Sequence, residues 1–515
     1  MTDLLPMAVA VPILAAVVAL LAGLARSESG WPVAVAGMVA HLALAAELGR
    51  RVFADGRIEY VVGGFEAPYG IELALDGLSA TILLLVAVVG LGVLAYARRA
   101  GPRSNPFYSG YLLLMAGLSG MTITADVFNM YVFLEITGLA AYALVASGDR
   151  GRSAVAALRY LLIGTVGASL FLLGIGYAYI GTGTLNMVNL AEQLADLGYK
   201  STLARASFAL ISVGLLIKVA LFPLHTWQPE AYAGAPDTVS GLISALVSTV
   251  SAYAFVRIVF TVFTVDFLAA NPLAQQLLGA LAAASIVLGS VLAVSQTEIK
   301  RMLAYSSVAQ FGLVIAAASV ANPLALTGAV VHLVGHAVMK GGLFLAAGLV
   351  ATATGARSIS EYDGLAERLP VGAKAFAALA LAMVGVPPAV GFVGKWYIAL
   401  GAVEAGSWPL AAVIVASTLL TLAYFARLVE RMFFREPAGT DDPETADSAA
   451  PDPDAESAGN AGAVADGGGD AATPATVSLG MYAVVVAAAV LAVVLGAAVF
   501  QFGAFLEPTI DTLLS

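Results

Sequence analysis

Residues 214–232 read GLLIKVALFPLHTWQPEAY. The stretch is apolar enough to enter a membrane, yet it carries Lys218, Pro223 and Pro229. Proline removes a backbone donor and crowds the preceding turn. In lipid the freed carbonyls must be satisfied by protein or water. A helix broken beside a lysine therefore predicts a hydrated site at mid-depth in a membrane. Residues 384–400, VGVPPAVGFVGKWYIAL, repeat the combination, with Pro387 and Pro388 eight and seven residues before Lys395. Two broken, lysine-bearing segments point to an internal repeat of the kind from which transporters are built.

The rest of the chain agrees with a membrane reading. Of its 515 residues, 60% are hydrophobic and 11% charged, against about 45–50% and about 25% in soluble domains. A soluble globular protein is excluded. The chain has no cysteine, so it holds no disulfide, iron–sulfur cluster or thiolate metal site. Any redox cofactor of its functional unit sits on another subunit. No basic cluster suggests nucleic-acid binding. No GxxxxGK[ST], GxSxG or HExxH motif occurs, which excludes an ATP-driven pump and the common hydrolase sites.

A span needs about 20 apolar residues. Fourteen stretches qualify, at roughly 4–25, 31–52, 73–97, 108–125, 127–147, 157–181, 205–225, 237–264, 272–294, 302–321, 324–353, 371–403, 407–434 and 477–506. The first lacks the basic n-region of a signal peptide, so it reads as a span. Spans 7 and 12 are the broken pair. They lie five apart, which gives them opposite orientation and predicts inverted repeats. The chain divides into 1–107 (spans 1–3), 108–265 (spans 4–8), 266–435 (spans 9–13), a linker at 436–476 and a last helix at 477–515.

Fifteen basic residues fall in the loops joining spans 1–2, 3–4, 5–6, 9–10, 11–12 and 13–14, Lys300 and Arg301 among them. Five (Arg50, Arg51, Arg57, Lys200, Arg205) fall on the other side. The asymmetry predicts a cell-membrane protein with both termini outside and the linker in the cytoplasm. That linker carries ten acidic residues and no Lys or Arg, and the remainder of the chain is neutral. With almost no large apolar residue it reads as a disordered, solvated tether.

Four basic residues, Lys218, Arg257, Lys340 and Lys395, fall inside spans. A charge at helix centre costs about 2.5–3.5 kcal/mol on insertion scales, and such residues usually mark an ion or proton route. Arg257 lies near a span end, where its side chain is expected to snorkel to the interface. Glu135 is the most deeply placed carboxylate, in span 5. A lysine taken out of water can lose its proton near neutrality, and a nearby carboxylate restores its charge, so a Glu–Lys pair is a natural switch. Whether Glu135 and Lys218 touch is not visible in sequence. In span 11, TGAVVHLVGHAVMKGGLFLAAG (327–348), His332, His336 and Lys340 stand four apart on one helical face. The stripe predicts a proton relay through bound water between the lysine sites. The lysine on that face argues against a metal. Any one of these groups alone could be a packing histidine or a structural ion pair; the set together is harder to explain that way.

These residues stand in recognisable company: LEITGLAAYALVA (134–146), KVALFPLHTWQPEAYAGAPDTVSGL (218–242), QTEIKRMLAYSSVAQFG (296–312), HLVGHAVMKGGLFLAAG (332–348), GVPPAVGFVGKWYI (385–398), and Asp76 in LDGLSATILLL (75–85). The chain resembles the antiporter-like family shared by Mrp-type cation/proton antiporters, the proton-pumping membrane subunits of respiratory complex I and energy-converting hydrogenases. It looks most like the D-type chain of Mrp antiporters. The resemblance implies an all-α polytopic fold of about 14 helices, two inverted five-helix repeats, and broken helices 7 and 12. It implies a glutamate–lysine pair at Glu135 and Lys218, a central polar axis at His332, His336 and Lys340, and a terminal lysine at Lys395. One departure is that Thr249, in ALVSTVSAYAFVR (245–257), stands where relatives commonly have a bridging lysine. Water held by Ser248, Thr249 and Ser251, with Ser244 nearby, would then have to bridge from Lys218 to the central axis.

The leading expectation is a proton-translocating subunit of a multi-subunit Mrp-type Na⁺/H⁺ antiporter. The alternative is a proton-pumping membrane subunit of a complex I-like NADH/quinone oxidoreductase or energy-converting hydrogenase. Either way the expected partners are other membrane subunits, the bilayer, H⁺ and, for the antiporter, Na⁺. No cofactor, metal or nucleic acid is expected on this chain.

Overall fold

The computed structural model describes residues 4–148, 151–436 and 477–514. Among them the chain is helical almost throughout, since a helix satisfies its own backbone where lipid offers no partner. It opens with α1 (Met7–Ala25) and α2 (Gly30–Asp55). A short antiparallel hairpin, β1 (Ile58–Val61) and β2 (Glu72–Leu75), then pairs Ile58 with Leu75 and Val61 with Glu72. This hairpin is an addition to the expected all-α architecture, in the loop between the second and third spans. Next come α3 (Gly77–Ala100), α4 (Asn105–Ile123), α5 (Val127–Ala146), α6 (Gly151–Thr182), α7 (Met187–Leu197), α8 (Thr202–Val219) and α9 (Trp227–Gly234). The segments α10 (Asp237–Leu242), α11 (Ser248–Ile258) and α12 (Thr264–Ala270) make one span through wider π-type turns at Ile243–Val247 and Val259–Phe263, with a break at Thr264, φ 66°. The remainder is α13 (Pro272–Val294), α14 (Ile299–Val320), α15 (Pro323–Thr354), the short α16 (Leu365–Arg368), α17 (Pro370–Val384), α18 (Val390–Glu404), α19 (Trp408–Phe434), α20 (Leu479–Ala497) and α21 (Val499–Leu514).

Helix starts follow local chemistry. Asp76, Ser104, Asp126, Asn186, Ser201, Asn322 and Ser478 each accept an N–H from the first turn they precede. The Asp126 cap divides α4 from α5, where the sequence places its fourth and fifth spans. Twelve helices among the described residues are long and apolar enough to cross a membrane, against fourteen expected spans. Of the other two, α4 has 19 residues but is not among the twelve, and the expected span 371–403 is two fifteen-residue helices, α17 and α18. The expected span 477–506 also divides. Its end belongs to α21, where the Thr509 hydroxyl accepts the Gly77 N–H at 3.2 Å and docks α21 on the start of α3.

The helix α15 is the centre of the molecule. Every residue of its most apolar window is buried, whereas only 22% of that of α1 and 17% of that of α20 are. It packs on α14, on α10 and α11, and on α17, α18, α20 and α3. Glycine brings α15 and α18 together: a methyl on Gly394 would stand 2.8 Å from the His332 Cβ, and one on Gly328 2.7 Å from the Ile398 nitrogen. The linker expected over 436–476 lies, but for Glu436, outside the described residues.

Candidate functional site

The break in the first lysine-bearing segment comes directly after Lys218. The helix α8 ends at Ala220, in the left-handed region at φ 64°, with the Leu221 N–H returning to the Leu216 carbonyl at 3.0 Å. The chain re-enters helix only at Trp227, whose ring N–H takes the Ile217 carbonyl at 2.8 Å. Protein thus satisfies the Leu216 and Ile217 carbonyls at the break. Lys218, in the last turn of α8, is buried and reaches across to α5. Its Nζ lies 3.7 Å from Glu135 Oε1 and donates to the Tyr142 hydroxyl at 3.1 Å. Glu135 Oε1 is buried and makes no hydrogen bond.

The second break is built differently. The helix α17 ends at Gly385, φ 102°, before Pro387 and Pro388. Lys395 lies beyond the break, on α18, and reaches back to donate to the carbonyls of Met383 and Val384 at 2.9 and 3.0 Å. Its ammonium caps the negative end of the half-helix it follows. The two lysines are therefore not equivalent: Lys218 precedes its break and faces a carboxylate, and Lys395 follows its break and faces carbonyls.

The stripe lies on α15. His332, His336 and Lys340 are all buried. Lys340 donates to the Leu303 carbonyl at 2.8 Å and to the Ser306 hydroxyl, both on α14. The imidazoles of His332 and His336 lie 6.4 Å apart, centre to centre, and His336 rests 4.6 Å from the Phe311 ring. None of their four ring nitrogens has a hydrogen-bond partner among the described residues. A buried polar group without a partner costs about 1–3 kcal/mol, so each one asks for a reason.

The hydroxyls at the bridging position divide. Ser251 donates to the Val247 carbonyl of its own helix and Ser244 to that of Gly241, so both are committed to backbone. Ser248 joins a buried trio with the Tyr232 hydroxyl, 3.1 Å away, and the Gln228 amide, 3.3 Å away. Thr249 is fully buried with its hydroxyl unpaired, as are Gln228 Oε1 and Gln310 Oε1. The π-type turn at Ile243–Val247 directly precedes Ser248, a local widening often found at functional sites.

Two ionic features escape the sequence. Arg257 does not snorkel. Its guanidinium grips Asp76, the cap of α3, through two 2.7 Å contacts, with the Tyr253 hydroxyl at 3.4 Å. The acid waiting inside outcompetes the interface. Lys300, expected in a basic loop, sits buried at the start of α14 and donates to Asp237 at 2.9 Å and the Ala235 carbonyl at 2.7 Å. Arg357 reaches the same aspartate at 3.4 Å. These groups line a polar cavity of about 650 Å³ with Arg103, Arg152 and Glu298. Beside it Glu361 folds the 357–361 turn, and the N–H groups of Ser358 and Arg357 hold its carboxyl below the usual carboxylate range. The one available signal was that Asp237 and Lys300 both fall within the quoted motifs. Among the described residues no cluster of three or more His, Asp and Glu side chains could hold a metal.

Comparisons with known proteins show the family. The family described as NADH:quinone oxidoreductase/Mrp antiporter, TM, matches residues 124–421, more than half of the chain. NADH-quinone oxidoreductase subunit N of Desulforudis audaxviator is 48% identical over 383 residues, 73% of this chain and 75% of the relative. The D-type chain of the Na(+)/H(+) antiporter of Bacillus subtilis is 33% identical over 395 residues, 76% of this chain and 79% of that one. A chain of the Mrp complex from Dietzia sp. DQ12-45-1b superimposes with a TM-score of 0.85 at 27% identity, over 100% of both chains. This multi-pass membrane chain belongs to the transmembrane family of NADH:quinone oxidoreductases and Mrp antiporters.

Proposed function

We propose that the chain is the proton-translocating membrane subunit of a multi-subunit, redox-driven complex of the complex I type. The observation that carries the reading is the series Glu135, Lys218, Lys340, His336, His332 and Lys395, set on α5, α8, α15 and α18, in which every member but the partly exposed Glu135 is buried. The 48% identity to an oxidoreductase subunit, against 33% to an antiporter subunit, favours the redox drive over the Na⁺/H⁺ exchange that the motifs first suggest. The second reading, an Mrp-type antiporter subunit exchanging H⁺ for Na⁺, draws support from the full-length superposition on an Mrp chain.

In either reading the residues have the same work. Lys218 gives up or takes a proton as its ammonium leaves or joins the Glu135 carboxylate. Thr249, Gln228 and Gln310 present buried, unpaired oxygens that can hold water without displacing a protein bond, and in this reading that water links the pair to the α15 stripe. His336 and His332 pass the proton between Lys340 and Lys395, each ring accepting it at one nitrogen and donating it from the other. We propose in addition inverted repeats over 108–265 and 266–435, fourteen crossings counting the broken ones, and, from the asymmetry of the basic loops, both termini outside and the 436–476 linker in the cytoplasm. The partners are the other membrane subunits of the complex.

A tag on this chain, purification of the intact complex in mild detergent and a visible absorption spectrum decide between the drives. Flavin or iron–sulfur absorbance in proportion to the chain is the expected result. A colourless intact complex moves the assignment to the antiporter. In vesicles, Glu135→Gln should lower proton translocation by tenfold or more, about 1.4 kcal/mol or more of barrier, with assembly unchanged. Normal translocation by that variant would falsify the proton route.

A further inference from the structure

Building on the proton route above, we propose that Tyr142 is a positioning residue: its hydroxyl is a second station that holds the Lys218 ammonium out of a closed pair with Glu135. Ammonium and carboxylate in a closed pair meet at about 2.7–2.9 Å. Here they stand 3.7 Å apart, and the ammonium's hydrogen bond goes to the neutral phenol at 3.1 Å. Glu135 Oε1 is left buried and without a hydrogen bond. In a low-dielectric interior the attraction between the two charges is strong. An open pair of this kind needs something to hold it open.

The surroundings of Tyr142 do so. Glu135 and Tyr142 lie seven residues apart on α5, two turns along one face, with the Lys218 ammonium within reach of both. A methyl at Gly164 would stand 2.0 Å from the Tyr142 hydroxyl. One at Gly138 would stand 3.0 Å from the hydroxyl and 3.4 Å from the ammonium. Two glycines thus make the room that this contact needs. The Tyr142 ring meets Tyr160 edge-on at 4.6 Å, and Tyr160 stacks flat on Trp227 at 4.2 Å. Trp227 in turn holds the carbonyl of Ile217, the residue before Lys218. The bracket closes on itself: the ring that fixes the backbone under Lys218 also fixes, through Tyr160, the hydroxyl that takes its side chain. Lys218 swings between a carboxylate and a phenol, and no covalent bond changes in the swing.

Tyr142→Phe in the intact complex tests this, because it removes the hydroxyl and keeps the ring against Tyr160. In the structure of the variant complex the Lys218–Glu135 contact should shorten to ~2.8 Å. Proton translocation in vesicles should fall about tenfold, as for loss of a hydrogen bond to a charged group, with the amount of assembled complex unchanged. A separation still near 3.7 Å, or translocation within about twofold of the native rate, overturns the proposal. Tyr142→Leu, which removes ring and hydroxyl, measures packing separately. If only this variant is impaired, the role is structural and the proposal also falls. Glu135→Gln keeps the two readings apart. If it translocates normally, the proton route itself has failed. If it is inactive while Tyr142→Phe is normal, only the second station has.

Discussion

Four of the six lysines of this chain, Lys218, Lys300, Lys340 and Lys395, are buried, and each solves the cost of burial in its own way. Lys218 and Lys300 have a carboxylate within 4 Å. Lys340 and Lys395 have carbonyls and one hydroxyl, and among the described residues no acid pairs with them. In the proposed proton route these two are the stations where no fixed counter-charge holds the ammonium. Arg257 is the opposite case, gripped twice by Asp76 and largely buried with it. Breaking one side of a buried pair typically costs about 3–5 kcal/mol, whereas removing both charges costs much less. Asp76→Asn keeps a good helix cap and should lower the unfolding temperature of the complex clearly. Adding Arg257→Gln should recover much of that loss, and a double variant as unstable as the single would argue against the buried pair.

Among the elements, the contact of α15 with α18 sets the distance between the central stripe and Lys395. It depends on glycine, because a methyl at Gly394 would come within 2.8 Å of the His332 Cβ and 2.9 Å of its Cα. Gly394→Ala should therefore cost about 1–3 kcal/mol, as overpacking does, and it should slow translocation by moving His332. Gly49, in α2, has nothing within 4 Å of where its methyl would go. Gly49→Ala should be neutral or stabilise by about 0.5–1 kcal/mol. Thermal unfolding of the two variants side by side checks the contrast, and equal effects would mean that the helix approach is not tight. The two breaks also show how one sequence signal becomes two devices. Proline near a lysine stands in both, but Lys218 turns outward to α5 and Lys395 turns back to cap α17.

For the whole molecule, charge and core are separated along the chain. The membrane body is neutral, and ten acidic residues fall in 436–476. If that stretch is only a tether for α20, its charge should not matter. Replacing 440–474 by an uncharged Gly/Ser segment of equal length, which behaves as a flexible coil, should leave translocation within about twofold of native. A larger loss, measured in vesicles at matched complex content, would assign the acidic stretch a part in the work of the complex. The polar cavity of about 650 Å³ at Asp237, Lys300 and Arg357 is the other large-scale feature. It gathers side chains from segments more than a hundred residues apart, which explains why hydropathy counts Lys300 as a loop residue.

Much of the protein was legible in one dimension. Apolar runs mark the helices, because a membrane demands length and apolarity at consecutive positions. Proline marks the breaks at 223 and 387–388, because it acts on its own turn. Charges inside apolar runs mark Glu135, Lys218, Lys340 and Lys395, and the four-residue spacing marks the face shared by His332 and His336. What the amino-acid order could not determine is which of these groups meet. The 3.7 Å approach of Glu135 and Lys218, the Tyr142 hydroxyl beside them, and the Asp76 that claims Arg257 from 181 residues away exist only once the helices pack. Hydropathy and proline act locally along the backbone. Partner choice is decided by how remote helices fit, with glycines at 138, 164 and 394 setting how closely they come.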